Sequence, residues 1–241
     1  PTPAPPTSSP TTRSTSLSGN RPLGPEVPGG QINFRMQDTG GTSQISSGLG
    51  NSIQTGYGRL VPEAGSTTPT GMAIFGYRRD GVLISETSVP VARLLYDGRI
   101  SAQINGIVNT GVAISNPNTE PAVLSFYFTD THGEKLYGGI AAIPAGGLVS
   151  AFLNEPPFAP LTALKIDLSQ ASSFTFSSSL PIGVTAIRGL INERSDFLVT
   201  ILPVVEVGVT DSVPLVFAHF AEGGGCTTRI LLVNPTETSI S

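Results

Sequence analysis

The residues best suited to chemistry stand at 130–134, which read DTHGE and place two carboxylates beside one of the two histidines. Carboxylate and imidazole groups bind metal ions, so this stretch is a candidate metal loop. It also fits a polar hairpin turn after Phe128, because Gly133 gives the backbone the freedom that a tight turn needs. The turn is the simpler interpretation, and we predict no metal site here.

Paired carboxylates at Glu193 and Asp196, and at Asp80 and Glu86, are the candidates for acid–base catalysis. Glycoside hydrolysis needs two carboxyl groups roughly 5–10 Å apart across a cleft. Neighbours on one turn do not form two sides of a cleft, so we expect solvated turn residues. The serine-rich stretch 173–179 has no G-x-S-x-G elbow. We therefore predict that the protein is not an enzyme, has no catalytic residues and binds no cofactor.

Two further reactive side chains, His219 and Cys226, have simple structural interpretations. The run VFAHF places His219 in a strand, where its ring would find a hydrogen-bond partner. Cys226 is the only cysteine, which excludes an intramolecular disulfide and a cysteine-based metal site. Three glycines precede it, and we expect a small buried residue; an intermolecular disulfide is the alternative. The same glycine run lacks the lysine and helix of a phosphate loop.

The composition is that of an extracellular β protein rather than a cytosolic enzyme. Charged residues make up 12%, about half the roughly 25% of an ordinary soluble domain. Glycine, proline, serine and threonine take their place. A net charge of −4 provides no basic surface for nucleic acid or for an anionic membrane, and no apolar run is long enough to span a bilayer. We predict an extracellular or cell-surface location.

Residues 111–130 show best how the chain is organised. Apolar residues alternate with small or polar ones, the run NPNTEP interrupts the alternation, and Leu124, Phe126 and Phe128 resume it. A period of two broken by turn residues predicts a β-hairpin with one dry face. Similar signals predict strands at 31–36, 56–61, 71–77, 82–91, 100–107, 135–143, 148–153, 163–168, 173–179, 183–190, 197–205 and 215–220, with a turn at 96–98.

Short motifs recur at a nearly constant distance. AIxG at 73–76 returns at 186–189, and Pro-Val at 90–91 returns at 203–204, both 113 residues later. Asn-Pro at 116–117 returns at 234–235, 118 residues later. A unit of about 115 residues is the size of one immunoglobulin-like sandwich. We predict an all-β fold of immunoglobulin-like β-sandwich repeats, with Ile114, Leu124, Phe126 and Ile187 in the core of the complete unit.

The phase of the repeat divides the chain into four parts. Residues 1–52 are a Pro/Thr/Ser- and Gly-rich extended tail or linker, and 53–100 are a partial sandwich unit. Residues 101–225 are a complete unit, and 226–241 are the opening strand of a further one. One unit is therefore complete, and partial units flank it at both ends.

The residues that carry the repeat resemble secreted tandem β-sandwich repeats of environmental bacteria, notably acidobacteria. The resemblance covers residues 53–241 and lies in GMAIFGYRRDGVLISETSVPV, NTGVAISNPN, SFYFTDTHGEKL, IRGLINERSDFLVTILPV and FAHFAEGGGCTTRILLVNPT. It implies location and architecture, and it implies no activity.

These observations predict a structural subunit of a surface filament, stalk or adhesive layer. An unpaired strand exposes backbone polar groups and half an apolar face, and a strand from a neighbouring chain can cover both. We expect a homopolymer whose interface contains Ile230, Leu232, Val233, Ile74 and Phe75. The alternative is a carbohydrate- or surface-binding spacer module that is a fragment of a longer secreted protein. The chain has no tryptophan and five tyrosines for stacking sugars.

The tail predicts a covalent modification. Residues 1–19 are almost wholly proline, threonine and serine, a composition typical of an extended linker or an O-glycosylated stalk. If this tail is ordered, we expect it to contact another chain or to carry O-linked sugars, and the sugars would make the natural protein heavier than its 24.9 kDa polypeptide. Intact mass spectrometry measures this, with chemically deglycosylated protein as the control. A natural mass equal to that of the polypeptide would exclude the sugars.

Overall fold

The structure is a computed structural model that describes residues 36, 39–43, 55–159, 167–210 and 212–240, and the backbone alone of residues 11–19 and 32–35. Strands, turns and irregular segments make up these residues, and none of them is helical. The all-β prediction is therefore confirmed. Over the same residues, no helix is long and apolar enough to cross a membrane.

Twelve strands are found in the described part of the chain. The first five are β1 (Thr11–Gly19), β2 (Ile32–Arg35), β3 (Gly56–Pro62), β4 (Met72–Arg79) and β5 (Val82–Pro90). The other seven are β6 (Leu95–Ser101), β7 (Val108–Ser115), β8 (Ala122–Thr129), β9 (Lys135–Ile143), β10 (Leu148–Phe152), β11 (Ser173–Ile191) and β12 (Phe197–Leu202). All pairings are antiparallel. They give a β2-β1-β3 sheet, a β4-β5 hairpin and a seven-stranded sheet of β6–β12, here called the body.

β11 is the centre of the body. The sequence predicts two strands here, but the structure shows one strand of 19 residues that contains Pro181. Its first half pairs with β6 and β8, and its second half pairs with β7 and β12. The register against β6 shifts between Ser177 and Ile182, since proline has no N–H to donate to the ladder. The strand continues past that point with new neighbours.

The predicted hairpin at 111–130 is wrong, although both of its strands exist. β7 pairs with β10 and β11, and β8 pairs with β9 and β11, so β11 separates them. The alternating faces are as predicted. In β8 the buried residues are Ala122, Leu124, Phe126 and Phe128, while Val123 and Ser125 are exposed. A period of two identifies the buried face of a strand, but it does not determine which strand pairs with it.

Both halves of the body turn their apolar faces toward one core. Phe126 is at its aromatic centre, with ring centroids 5.5 Å from Phe158 and 5.6 Å from Phe174. Ile114 and Leu124 are also fully buried. The prediction that Ile187 belongs to this core is wrong. It is half-buried, because its neighbours Val184 and Ala186 take the inward positions of β11 and Ile187 alternates onto the opposite face.

Two other predicted elements differ from the structure. The stretch 96–98 lies inside β6 and is not a turn. Gly98 serves packing there, because a Cβ at that position would collide with the ring of Phe176. The turn comes later, at Gly106, where φ is +82°. Residues 215–220, predicted as a strand, form no strand. Most of the predicted strand 163–168 lies outside the described residues, and β1 lies within the predicted tail.

The core packing predicts the cost of truncating Phe126. Replacing it by alanine removes contacts with four neighbouring rings and leaves a cavity, so we expect a loss of about 3–5 kcal/mol of unfolding free energy. Val123→Ala, at an exposed position of the same strand, should change stability by less than about 0.5 kcal/mol. Equilibrium urea unfolding of both variants measures the difference. Equal stability losses would contradict the core assignment.

Candidate assembly interface

The β4-β5 hairpin has one open side. Asp80 and Gly81 have φ angles of +52° and +80°, which a two-residue turn between twisted strands requires. Within the described residues β4 pairs with β5 alone. Ile74 and Phe75 of β4 are 65% and 54% exposed. The side of β4 away from β5, here called the β4 edge, is therefore an exposed strand edge that carries apolar side chains.

Side-chain contacts hold this hairpin beside β12. The Val199 N–H donates a hydrogen bond of 2.9 Å to Ser85 Oγ. The rings of Tyr77 and Phe197 meet edge to face with centroids 6.4 Å apart, and Arg79 forms an ion pair with Asp196. β5 thus lies along the free side of β12. The contacts fix the hairpin with the β4 edge outermost.

The β11-β12 hairpin has the same register as the β4-β5 hairpin. Ala73 is opposite Val89 in the first, and Ala186 is opposite Leu202 in the second. Each residue of the second pair follows its counterpart by 113 positions. The two hairpins differ in what flanks them, since β7 pairs with β11 along Val108–Ser115 and no described strand takes the equivalent place beside β4.

Residues 219–238, here called the terminal segment, repeat contacts made 118 positions earlier. The Gln103 N–H donates to Thr110 Oγ1 at 3.0 Å, and the Ala221 N–H donates to Thr228 Oγ1 at 3.1 Å. The loops between these partners also match. They close with N–H to carbonyl bonds from Asn105 to Val108, 3.0 Å, and from Gly223 to Cys226, 3.1 Å.

The two Asn-Pro turns match in the same way. Asn116 Nδ2 donates to the Glu120 carbonyl at 2.7 Å, and Asn234 Nδ2 donates to the Thr238 carbonyl at 2.7 Å. In each turn the N–H two residues after the asparagine donates to its Oδ1. Asn116 is fully buried and also donates to the Ile143 carbonyl at 3.0 Å. The second turn therefore has the local bonds of the first without its buried surroundings.

Residues 226–233 and their counterparts in β7 differ in burial. Val112 and Ile114 of β7 are buried, whereas their counterparts Ile230 and Leu232 are 48% and 81% exposed. Residues 226–233 also form no strand. Val233, which the sequence assigns to the same interface, is half-buried. The structure does not join the predicted interface residues of the terminal segment to those of β4 by any described hydrogen bond.

Arg99 fixes the terminal segment to the body. This arginine of β6 is buried, and its Nε donates to Thr175 Oγ1 at 2.7 Å. Its Nη1 donates to the Asn234 and Thr236 carbonyls, both at 2.8 Å, and its Nη2 lies 2.6 Å from Glu237 Oε1. The planar guanidinium can satisfy several acceptors at once, which offsets the cost of burying its charge. Nothing in the sequence pattern indicates this arginine, because its side-chain acceptors are 28 to 138 positions away.

The candidate metal loop is a turn held by its own aspartate. Asp130 Oδ1 accepts N–H bonds from His132 at 2.8 Å and from Glu134 at 2.9 Å. These bonds, the one from Glu134 foremost, lower the pKa of Asp130 below its usual value of 3.8. They favour the ionised turn above that pH, and the benefit is lost as the pH falls through the lowered pKa. No three metal-binding side chains cluster among the described residues.

The other reactive side chains are structural or exposed. Asp196 binds Arg79 and Arg194, so it belongs to an ion-pair cluster at the β11-β12 turn. His219 is exposed. Cys226 is exposed too, and the prediction of a small buried residue is wrong. Val108, which precedes it by 118 positions, is buried in β7 beside β11. Among the described residues, no strand lies beside Cys226 in the same way.

Tyr127 is one of the five tyrosines that could stack a sugar ring. It borders a groove of about 230 Å³ that Asp97, Thr175, Ser177 and Glu237 also line. However, the Lys135 ammonium lies over its ring, 4.3 Å from the ring centre. A cation in that position occupies one π-face of the tyrosine. Lys135 therefore covers one of the two ring faces on which a sugar could stack.

The β4 edge and the terminal segment together form the candidate interface. The chain matches no protein-family model, no curated protein and no solved structure. The chemistry that the interface supports is backbone hydrogen bonding and apolar burial, because it consists of an exposed strand edge and exposed apolar side chains.

The Arg99 contacts predict the effect of removing its guanidinium. In Arg99→Met we expect the terminal segment to detach while the body stays folded, since hydrogen bonds to a charged group are worth about 1.5–3 kcal/mol each. The Gly208 N–H, bonded to the Pro235 carbonyl at 3.0 Å, should exchange with deuterium about 10–100 times faster. Arg93→Met, at an exposed arginine, is the matched control. Unchanged exchange at Gly208 would show that Arg99 does not hold the segment.

Proposed function

We propose that this chain is an extracellular structural protein built from immunoglobulin-like β-sandwich repeats, and that copies join by strand complementation into a surface filament, stalk or adhesive layer. One observation carries the proposal. Among the described residues, the same chain contains an open strand edge at β4 and a terminal segment whose loop and turn match those that flank β7.

Matched contacts support the repeat. The two hairpins share their register at an offset of 113, and the terminal segment reproduces side-chain bonds of residues 103–120 at an offset of 118. Threonine and asparagine side chains make these bonds locally, so the segment keeps its shape before a partner strand arrives. The resemblance to secreted tandem repeats of environmental bacteria agrees with this architecture and with an exterior location.

The exposed β4 edge supports assembly. A strand edge with free N–H and C=O groups and exposed apolar side chains invites pairing with another chain. An added strand satisfies the backbone groups, and the side chains that alternate along it bury the apolar surface. The β4 edge and the terminal segment are different surfaces, so their contact is head-to-tail. A head-to-tail contact that does not close into a ring produces an open fibre.

One observation favours the second function, a spacer module within a longer secreted protein. The β4-β5 hairpin corresponds to the second half of β11 with β12, and residues 226–233 correspond to β7. Among the described residues neither piece supplies counterparts of β8, β9 and β10. A unit formed from both pieces is therefore smaller than the body. Further strands from elsewhere in a longer chain would be needed to complete it, as in a spacer module.

The test is removal of the donor. Deleting residues 226–241 should abolish assembly, because no segment remains to pair with the β4 edge, and should leave the unfolding temperature of the body within a few degrees. Light scattering and electron microscopy measure assembly. A finer pair is Leu232→Arg, expected to weaken assembly strongly, against Ile140→Arg at an equally exposed position of β9. Regular fibres that survive the deletion would place the contact elsewhere, and a full-length chain that stays monomeric would favour the spacer.

A further inference from the structure

We propose a specific register for this contact: residues 226–233 of a second copy add antiparallel to the β4 edge, with Ile230 opposite Ala73 and Cys226 opposite Tyr77. The inference rests on the proposed function and makes it specific, since it names the residue pairs that meet. A β4 edge could in principle accept many strands. The register states which strand it accepts and where.

The register follows from the pairing of β7 with β11. There Val112 lies opposite Ala186, and Val108 lies opposite Leu190. The shared hairpin register makes Ala73 the counterpart of Ala186 and Tyr77 that of Leu190. The repeated threonine and asparagine bonds make residues 226 and 230 the counterparts of 108 and 112. Transferring the pairs places Ile230 and Cys226 as stated.

The transferred register brings apolar side chains together on one face. Ile230 and Leu232 correspond to the buried Val112 and Ile114. Ala73 corresponds to Ala186, which is also buried. Phe75, two positions on from Ala73, lies on the same face and would meet Thr228. The side chains on this face are exposed in the single chain, and the proposed pairing would bury them against each other.

Charge on the opposite face agrees with the same register. Arg229 falls opposite Ile74, which is two positions from Gly76 on the same face of β4, and Arg229 and Ile74 are both exposed. The Glu86 carboxylate lies beside Gly76, 4.0 Å from the position that a Cβ would take there, and a Leu83 methyl lies nearer, at 3.3 Å. Because Gly76 has no side chain, an arginine on the added strand can reach this carboxylate. A slip by one residue would turn Arg229 to the apolar face and Ile230 to solvent.

Cys226 makes the register measurable by disulfide trapping in the full chain. Directly opposed residues of antiparallel strands have Cα atoms about 4.5–5.5 Å apart, within the range that a disulfide spans. In Tyr77→Cys under mild oxidation we expect covalent ladders that run from the introduced thiol of one copy to Cys226 of the next. The yield should exceed that of Phe75→Cys and of Arg79→Cys, each two positions out of register, about tenfold.

Tyr77→Cys removes the ring contact between Tyr77 and Phe197 and could unfold the chain. A charge swap between Glu86 and Arg229 tests the same register without that substitution. Glu86→Arg should weaken assembly of the otherwise natural chain, and Arg229→Glu added to it should restore assembly. No rescue in the double variant would count against the proposed pairing. The variant Tyr77→Cys with Cys226→Ser is the control for the trap, and its ladders should disappear.

The outcomes separate the register from the proposed function. Equal ladders from all three cysteine positions, or fibres without the expected ladder, would overturn the register while assembly stands. A disulfide mapped by peptide analysis within a single chain would overturn contact between copies and with it the proposed assembly. Ladders confined to Tyr77→Cys, linking peptides of two copies, would confirm the register.

Discussion

The requirement that strand edges be paired governs this structure. β11 meets it along most of its length, with β6 and β8 beside its first half and β7 and β12 beside its second. The core follows from that arrangement, because the strands flanking β11 bring their apolar faces over one another. The β4-β5 hairpin repeats the register of β11-β12 but lacks the flanking strand among the described residues. The same motif is thus buried in one place and exposed in another.

Local side-chain bonds explain how an unpaired piece can keep its shape. Thr110 and Thr228 bind the backbone across the same loop, and Asn116 and Asn234 close the same turn. Each of these bonds spans no more than seven residues, so it needs no distant strand. Burial, in contrast, depends on partners far along the chain. The terminal segment therefore has the local shape of β7 without its environment.

Sequence reasoning succeeded where the information was local. The alternation in residues 122–129 identified the buried face of β8, and the described residues are all-β as predicted. Partners were not predictable from alternation, so the hairpin at 111–130 was wrong, and Gly98 was mistaken for a turn because its packing against Phe176 depends on a residue 78 positions away. Of the interface, the sequence indicated the exposed apolar residues. It missed Arg99, whose importance lies in acceptors that are distant along the chain.

Arg99 has a mechanical consequence. The guanidinium ties the Asn-Pro turn to β6, while the Gly208 N–H holds the Pro235 carbonyl nearby. Tension applied to residues 226–233 would reach the body through this cluster before it straightened the irregular stretch 212–225. Several hydrogen bonds around one rigid cation would then share the load. Those 14 residues would extend only after the hydrogen bonds of Arg99 and Gly208 break. The chain would then be stiff under small forces and extensible under large ones.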